Sequence, residues 1–301
     1  MVMTANRIRR VALGLAIGVL LALPAGGRQA RVVFEVRSQY QQITVRDTAD
    51  GIRQLLFDER FPGTGAVQSE MSLANHDELA VVYTRYMMAA LPLVERPRRL
   101  LIVGLGGASM QRYLYRLLPG ATIETVELDP VVRDIAANFF FLKENERQIV
   151  HVDDGRRFLE KTRDRYDVIF LDAFNSSAIP SALATQEFLR TVRARVAGGG
   201  VVCANLWESA SNYADMLRTY AAVFPELHLV KAVPSGNRLV VALPRKTDLT
   251  AAAWIDLARA FEKARPTGLD LPDLVGRGAA VRPEIPGAAR VLRDADQGPP
   301  R

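Results

Sequence analysis

Three acidic residues stand where a carboxylate could bind a ligand or move a proton. They are Glu127, Asp154 and Asp172, and each lies at the end of, or just beyond, an apolar run that predicts a buried strand. Carboxylates accept hydrogen bonds from sugar hydroxyls and amino groups, and one of them could orient an amine or take its proton. Because ligands of open α/β sheets bind at the carboxyl ends of the strands, the three acids predict a single ligand site.

A glycine-rich turn precedes these acids. Gly104, Gly106 and Gly107 follow the apolar run Leu100–Val103, where a strand would meet a helix. Glycine lets the backbone approach a ligand closely and lets the amides of a helix N-terminus face it. With an acid about twenty residues later, the turn is typical of a nucleoside-binding βαβ unit. Ser109 occupies the place of the third dinucleotide-type glycine, which disfavours a pyrophosphate ligand.

The cofactor-binding candidates have distinct expected roles. Glu127 could accept hydrogen bonds from both ribose hydroxyls, as in NAD and AdoMet sites alike. Asp154 could accept the exocyclic amine of adenine, with Gly155 opening the next helix, or Asp154 could serve only as an N-cap. Gln41, from the N-terminal part, is a further candidate for hydrogen bonds to the cofactor.

The elements that must position these residues alternate between strands and helices after Pro97. The predicted strands are Leu100–Val103, Thr122–Glu127, Gln148–Val152, Tyr166–Leu171, Val201–Asn205, Leu227–Ala232 and Leu239–Ala242. The predicted helices span 109–118, 130–142, 155–162, 185–196 and 209–223. Nearly continuous apolar strands between helices predict a parallel sheet covered on both faces, an α/β, doubly wound arrangement.

The last two strands are joined by only Val233-Pro-Ser-Gly236, too short for a helical crossover, so this pair must form an antiparallel hairpin. A doubly wound sheet with such a C-terminal hairpin resembles the AdoMet-dependent methyltransferase fold. We assign residues 93–245 to this AdoMet-binding domain. Residues 31–92 predict a small N-terminal β-rich domain, with a connecting helix from Leu79 to Leu91. Residues 246–301 predict a C-terminal helix and a Pro/Gly-rich tail that is extended or partly disordered.

Residues 1–27 differ in kind from the rest. Arg7, Arg9 and Arg10 precede the apolar run Val11–Leu23 and a small-residue exit, the layout of a secretory signal peptide. The run is short for a membrane-spanning helix, which needs about 20 residues. An uncleaved membrane anchor is the alternative. We therefore expect an exported protein, periplasmic or secreted, that meets a membrane only through residues 1–27.

Composition limits the other partners. With 301 residues and 49% hydrophobic content the chain is globular. Its net charge of +6 is spread along the chain without a basic cluster among aromatics, so no nucleic-acid partner is expected. Cys203 is the single cysteine and excludes an internal disulfide. Three neighbours, His76, Asp77 and Glu78, cannot all face one ion on a regular element, so we expect no metal.

Several motifs fit one known pattern together. They are Ser38-x-Tyr-Gln41, Val126-Glu-x-Asp-Pro130, Asp154-Gly155, Tyr166-Asp-Val-Ile-x-x-Asp172, Leu183-x-Thr-x-Glu-Phe188 and Gly198-Gly-Gly-Val201. Between residues 36 and 245 the chain resembles the spermidine/spermine synthase (polyamine aminopropyltransferase) family. The resemblance implies that the chain binds AdoMet or decarboxylated AdoMet and transfers an aminopropyl group to a small-molecule amine. It also implies Asp172 as the catalytic acid or base, and a homodimer or homotetramer.

The acceptor side departs from the family pattern. The resemblance implies an Asp directly after the glycine triplet and a second Asp three residues after Asp172, and these positions hold Gly107 and Asn175. An expected His-Glu pair is Arg85-Tyr86, and Arg85 would repel a polyamine. We therefore expect an altered acceptor pocket.

The candidate residues of that pocket are Gln68, Tyr86 and Asn175. Tyr83 or Tyr86 could form its wall, or both could simply pack an amphipathic helix. Two further functions stay open. One is AdoMet-dependent methyl transfer to another acceptor, and the other is non-catalytic binding of a nucleoside or polyamine by an exported protein.

Overall fold

The computed structural model describes residues 30–58, 66–173, 179–278 and 282–296. Within them the chain begins with an antiparallel sheet of four strands in sequential order. The strands are β1 (Arg31–Arg37), β2 (Gln42–Asp47), β3 (Ile52–Asp58) and β4 (Ala66–Ser72). Three of them lie where β-rich segments predicted them. The fourth, β4, was not predicted, and it carries Gln68 to the edge of the candidate site.

The connection to the larger sheet is less helical than predicted. A short helix α1 (Val82–Met87) continues as a 3₁₀ helix over Met88–Leu93. Pro92 lies inside this second segment and lacks the amide that an α-helix would need. The α-helix is therefore shorter than the predicted helix from Leu79 to Leu91. The predicted burial is nevertheless observed, since Met87, Met88 and Leu91 are fully buried.

The second sheet has seven strands in the order β10-β11-β9-β8-β5-β6-β7. Its strands are β5 (Arg99–Val103), β6 (Thr122–Glu127), β7 (Gln148–Val152), β8 (Tyr166–Leu171), β9 (Val196–Trp207), β10 (Glu226–Lys231) and β11 (Asn237–Leu243). Its covering helices are α2 (Ser109–Leu117), α3 (Pro130–Phe139), α4 (Gly155–Lys161), α5 (Gln186–Ala194) and α6 (Tyr213–Val223).

The pairing within this sheet confirms the predicted fold. Strands β5 to β9 pair in parallel, whereas β11 is antiparallel to both β9 and β10. The strand order reverses at β5, between β8 and β6. A reversal of this kind opens a crevice at the carboxyl ends of the strands, because the connections leave in opposite directions.

Apolar packing holds the two sheets together. Five residues of the N-terminal sheet share a buried cluster with the glycine turn and α3. They are Ile43, Val45, Leu55, Phe57 and Met71. Arg53 adds a hydrogen bond of 3.0 Å from its guanidinium to the carbonyl oxygen of Phe139. One face of the N-terminal sheet is therefore fixed against the crevice.

The C-terminal part is more ordered than predicted. It has two helices, α7 (Ala251–Ala264) and α8 (Leu271–Gly278), where one was expected. Residues 282–296, which we call the C-terminal strap, pack Ile285 and Leu292 against the cluster under α5 and α6. Apart from the 3₁₀ turn Asp294–Asp296 this stretch contains no helix or strand, as expected of an extended tail, but its backbone and apolar side chains have partners on both helices.

The predicted signal peptide or anchor, residues 1–27, lies outside the described residues. In the part of the chain that the structure describes, no helix combines the length and apolar character needed to cross a membrane.

Candidate active site

A cavity of about 410 Å³ opens at the carboxyl ends of β5, β6, β7 and β8, below the N-terminal sheet and α1. Its charged lining among the described residues is entirely acidic, and consists of Glu127, Asp129, Asp154 and Asp172. Neutral polar side chains complete much of the wall, namely Gln41, Gln68, Ser69, Tyr83, Thr84, Ser109 and Gln111. The cavity therefore favours a cationic ligand over an anionic one.

The glycine turn divides into two parts. Gly104 and Gly106 line the cavity with φ angles of +104° and +51°, which a residue with a side chain rarely adopts. Gly107 lies behind the turn, outside the cavity lining, and an added Cβ would stand 2.7 Å from Ser69 Oγ and 2.9 Å from Phe140 Cδ1. The prediction that Gly107 contacts the cofactor is therefore not met, because its missing side chain makes room for Ser69 and Phe140.

Glu127 is the acid at the centre of the cavity wall. Its Oε2 accepts a hydrogen bond from the Leu105 amide at 3.0 Å, and its Oε1 accepts one from the Asp129 amide at 2.9 Å. Burial raises the pKa of Glu127 to about 7, although these amides oppose the shift. The carboxylate thus fixes the backbone on both sides of the crevice and keeps lone pairs for a ligand.

Asp154 is an N-cap, as one of its two predicted roles requires, and its role toward adenine stays a prediction. Its Oδ1 accepts a hydrogen bond from the Arg157 amide at 2.8 Å, so it is the N-cap of α4. It also lines the cavity, together with Gly155. Gly155 has no room for a side chain, since a Cβ would lie 2.7 Å from Val103 Cγ1. The start of α4 can therefore pack closely against β5.

Asp172 is held at the far end of the cavity by three elements. Tyr83 of α1 donates its hydroxyl to Oδ2 at 3.0 Å, and Asn205 of β9 donates its side-chain amide to Oδ1 at 3.0 Å. Asn237 of β11 in turn donates to the side-chain oxygen of Asn205 at 2.9 Å. Burial raises the pKa of Asp172 to about 6, and the bonds from Asn205 and Tyr83 limit that rise. The carboxylate is oriented, and it is a stronger base than an exposed aspartate.

Tyr83 and Tyr86 lie in different environments. Tyr83 lines the cavity, and its pKa is raised by burial and by the charge of Asp172. Tyr86 is buried in the core cluster against which Tyr83 also packs, with its hydroxyl 3.4 Å from the carbonyl oxygen of Val233. The prediction of Tyr86 as an acceptor-pocket residue is wrong, because its ring is buried in the core cluster and does not line the cavity.

Arg85 also differs from expectation. Its Nε donates to the carbonyl oxygen of Leu79 at 2.6 Å, and its guanidinium pairs with Glu78 at 3.5 Å. Arg85 is outside the cavity lining, and its charge is paired with that of Glu78.

The remaining predicted residues are the two glutamines and Asn175. Gln41 lines the cavity, and its backbone amide donates to Ser38 Oγ at 3.1 Å, which fixes the turn before β2. Gln68 lines it from β4. Asn175 lies outside the described residues.

Several polar residues of the site were not predicted from the sequence, among them Ser69 and Thr84 of the cavity wall and the three that follow. Asn205 ends an apolar strand run, as the predicted acids do, and that signal could have identified it. Gln111 is almost fully buried on α2 and donates to the carbonyl oxygen of Gly104 at 3.3 Å. Asp129 is the N-cap of α3 and stands two residues after Glu127. No group of three or more His, Cys, Asp or Glu side chains in the described ranges is arranged to hold a metal ion.

Comparison with known proteins agrees with this geometry. The family model of the spermine/spermidine synthase domain matches residues 81–237. A polyamine aminopropyltransferase from Vibrio vulnificus is 32% identical over 241 residues, which are 78% of this chain and 80% of that protein. The chain belongs to the spermine/spermidine synthase family. The family resemblance drawn from the motifs is thereby confirmed.

Solved structures share the fold of this synthase family member. A probable spermidine synthase from Corynebacterium glutamicum superposes with a TM-score of 0.64 at 17% identity, covering 84% of this chain and 97% of that one. Human methyltransferase-like protein 13, in complex with SAH, superposes with a TM-score of 0.57 at 26% identity, covering 61% of this chain and 92% of that one. The methyltransferase-like fold is therefore shared beyond the family itself.

Proposed function

We propose that this protein transfers an aminopropyl group from decarboxylated AdoMet to an amine. The observation that carries the proposal is the cavity itself, which joins Glu127 and Asp154 to the oriented Asp172 in one acidic space. Both proposed substrates are cations, a sulfonium and an amine. The polyamine aminopropyltransferases among its relatives support the same reaction.

The two ends of the cavity would bind different substrates. Glu127 and Asp154 would bind the ribose and adenine of the cofactor, which leaves the sulfonium near the ends of β5 and β8. Asp172 would hold the amine in line with the carbon next to sulfur. The amine nitrogen forms the new bond to that carbon, the carbon–sulfur bond breaks, and methylthioadenosine leaves with the electron pair.

The attacking amine must shed a proton, and Asp172 can take it. A carboxylate with a pKa of about 6 is ionised at neutral pH, yet it is about two pH units more basic than an ordinary aspartate. Tyr83 donates to the same carboxylate and so fixes which oxygen faces the amine.

We further propose that the acceptor end differs from that of a polyamine-binding enzyme. Among the described residues lining that end, Gln68, Ser69, Tyr83 and Thr84 are neutral, and Asp172 is the carboxylate. A second ammonium of a long polyamine would gain only neutral hydrogen bonds from them. This supports a changed acceptor, but through neutral side chains and not through repulsion by Arg85.

The test is a product assay. The purified protein is incubated with decarboxylated AdoMet and a panel of mono-, di- and triamines, and separately with AdoMet and the same amines. Methylthioadenosine that forms only with decarboxylated AdoMet and an amine supports aminopropyl transfer. S-adenosylhomocysteine would instead support methyl transfer, the second candidate, which the 26% identity to human methyltransferase-like protein 13 favours. Binding of methylthioadenosine without either product would indicate a non-catalytic binding protein.

We also propose that residues 1–27 direct export. The support is the order of arginines, apolar run and small residues in the sequence. Fractionation of cells that express the whole chain tests this, and uncleaved protein found only in the cytosol would refute it.

A further inference from the structure

We infer that Asp294 of the C-terminal strap is a positioning residue for the nucleoside end of the cavity, acting through Arg156. The inference rests on the proposed function, because it concerns the part of the site that would bind adenosine. It assigns a role in substrate binding to a segment that lies outside the cavity and far along the chain from its acids.

The contact between the two residues is a bidentate ion pair. The Arg156 guanidinium donates to Asp294 Oδ1 at 2.7 Å and to Oδ2 at 2.5 Å. Two parallel hydrogen bonds between a guanidinium and a carboxylate set orientation as well as distance. The Arg156 side chain is only 23% exposed, and that of Asp294 is 40% exposed. The pair also lowers the pKa of Asp294, so both partners are charged at neutral pH.

Arg156 lies between two walls of the cavity. It is the second residue of α4, directly after the lining residues Asp154 and Gly155. Its guanidinium also reaches the carbonyl oxygen of Ala182 at 3.4 Å, and Ala182 and its neighbour Leu183 line the cavity from the other side. An arginine fixed in place therefore sets the spacing between the start of α4 and the segment that carries Ala182.

The strap provides a firm attachment for this arginine. The carbonyl oxygen of Leu292 accepts from the Gln186 amide at 2.8 Å, and the Leu292 amide donates to Thr219 Oγ1 at 2.9 Å. The Asp294 amide donates to Glu187 Oε2 at 3.1 Å. Asp294 is thus tied to α5 and α6 on one side and holds Arg156 of α4 on the other.

The experiment measures binding of methylthioadenosine by calorimetry with the full chain, so that it does not depend on turnover. Asp294→Asn keeps the size of the side chain but removes its charge, and should weaken binding about three- to tenfold at low salt. Because a partly exposed ion pair is screened by salt, wild type and variant should converge in 1 M NaCl. In the assay of the proposed reaction, the KM for decarboxylated AdoMet should rise while kcat changes less than about twofold.

Asp215→Asn is the matched control. Asp215 accepts the amide of Arg290, another strap residue, at 2.7 Å, but it lies on α6 and outside the cavity lining. It should lower the melting temperature without changing the dissociation constant. Arg156→Gln breaks the ion pair from the other side, and the double variant with Asp294→Asn should bind no more weakly than Arg156→Gln alone. This pair of variants keeps the test valid if one of them folds poorly.

The outcomes separate the two proposals. Wild-type binding of methylthioadenosine together with an unchanged dissociation constant in Asp294→Asn overturns the positioning role and leaves the proposed function intact. Equal weakening in Asp215→Asn also overturns it, since the strap would then act only through overall stability. If the wild type does not bind methylthioadenosine at all, the proposed function fails, and this inference fails with it.

Discussion

Replacing Asp172 with Asn should make the protein more stable while abolishing its activity. The carboxyl group lines the cavity, and desolvation there raises its pKa from the ordinary value of 3.8 to about 6. The folded protein thus holds its proton more tightly than the unfolded chain does. For a group of this kind, the folded state loses stability as pH rises from the unfolded pKa to the folded pKa, and the loss is complete above both.

The size of the effect follows from the shift. A difference of about two pKa units corresponds to about 3 kcal/mol at pH 8, and to only about 0.6 kcal/mol at pH 4, where the carboxyl is protonated in the folded state. Asn does not titrate, so the free energy of unfolding of Asp172→Asn relative to wild type should increase by about 2 kcal/mol between pH 4 and pH 8.

The assay is urea unfolding of both proteins at pH 4, 5, 6, 7 and 8. Comparing the two proteins at several pH values cancels any pH-independent change in stability that the substitution causes, such as a poorer hydrogen bond with Asn205. Methylthioadenosine production should fall to background in the same variant. If the difference in the free energy of unfolding between the two proteins stays constant from pH 4 to pH 8, then ionisation of Asp172 does not destabilise the folded protein, and the reasoning is refuted.

Three further predictions concern the cavity wall and the glycine turn behind it. Tyr83→Phe removes a hydrogen bond that stabilises the charged form of Asp172, so the acidic midpoint of the kcat/KM profile should move above its wild-type value. An unmoved midpoint would show that the hydroxyl does not tune the acid. Glu127→Gln should raise the calorimetric dissociation constant of methylthioadenosine about tenfold or more, because hydrogen bonds to a charged acceptor contribute about 1.5–3 kcal/mol. Unchanged binding would remove Glu127 from the nucleoside site. Gly107→Ala should destabilise the fold by about 1–3 kcal/mol in urea unfolding, because its Cβ would stand 2.7 Å from Ser69 Oγ. Ser69→Ala in the same chain should recover part of the loss, and wild-type stability of the single variant would contradict the packing argument.

The central strands could be predicted because their sequences are unambiguous. The bounds of β6, β7 and β8 agree with the predicted runs, each of which ends at or one residue before an acidic side chain. Strand β4 has no such run, since Gln68, Ser69 and Glu70 interrupt its apolar residues. It is a strand because it pairs with β3, and such pairing depends on tertiary structure and cannot be predicted from local propensity.

The site could be predicted in part for the same reason. Residues at strand ends were found, because the topology of an α/β sheet brings those ends together. Tyr83 and Tyr86 could not be told apart, since which face of a short helix meets the cavity depends on how that helix docks. The contact between Tyr83 and Asp172 spans 89 positions of sequence. Gly107 was misplaced because a glycine pattern does not say which glycine faces the ligand.

The hydrogen bonds from Asn237 to Asn205 and from Asn205 to Asp172 run sideways across β11, β9 and β8. The Asp172 carboxylate is therefore linked by hydrogen bonds to β11 of the antiparallel hairpin, whose strands lie outside the cavity lining. A substitution in that hairpin could adjust the acidity of Asp172 while leaving every substrate contact as it was. The basicity of Asp172 and the choice of amine acceptor could in this way change independently of each other within a single fold.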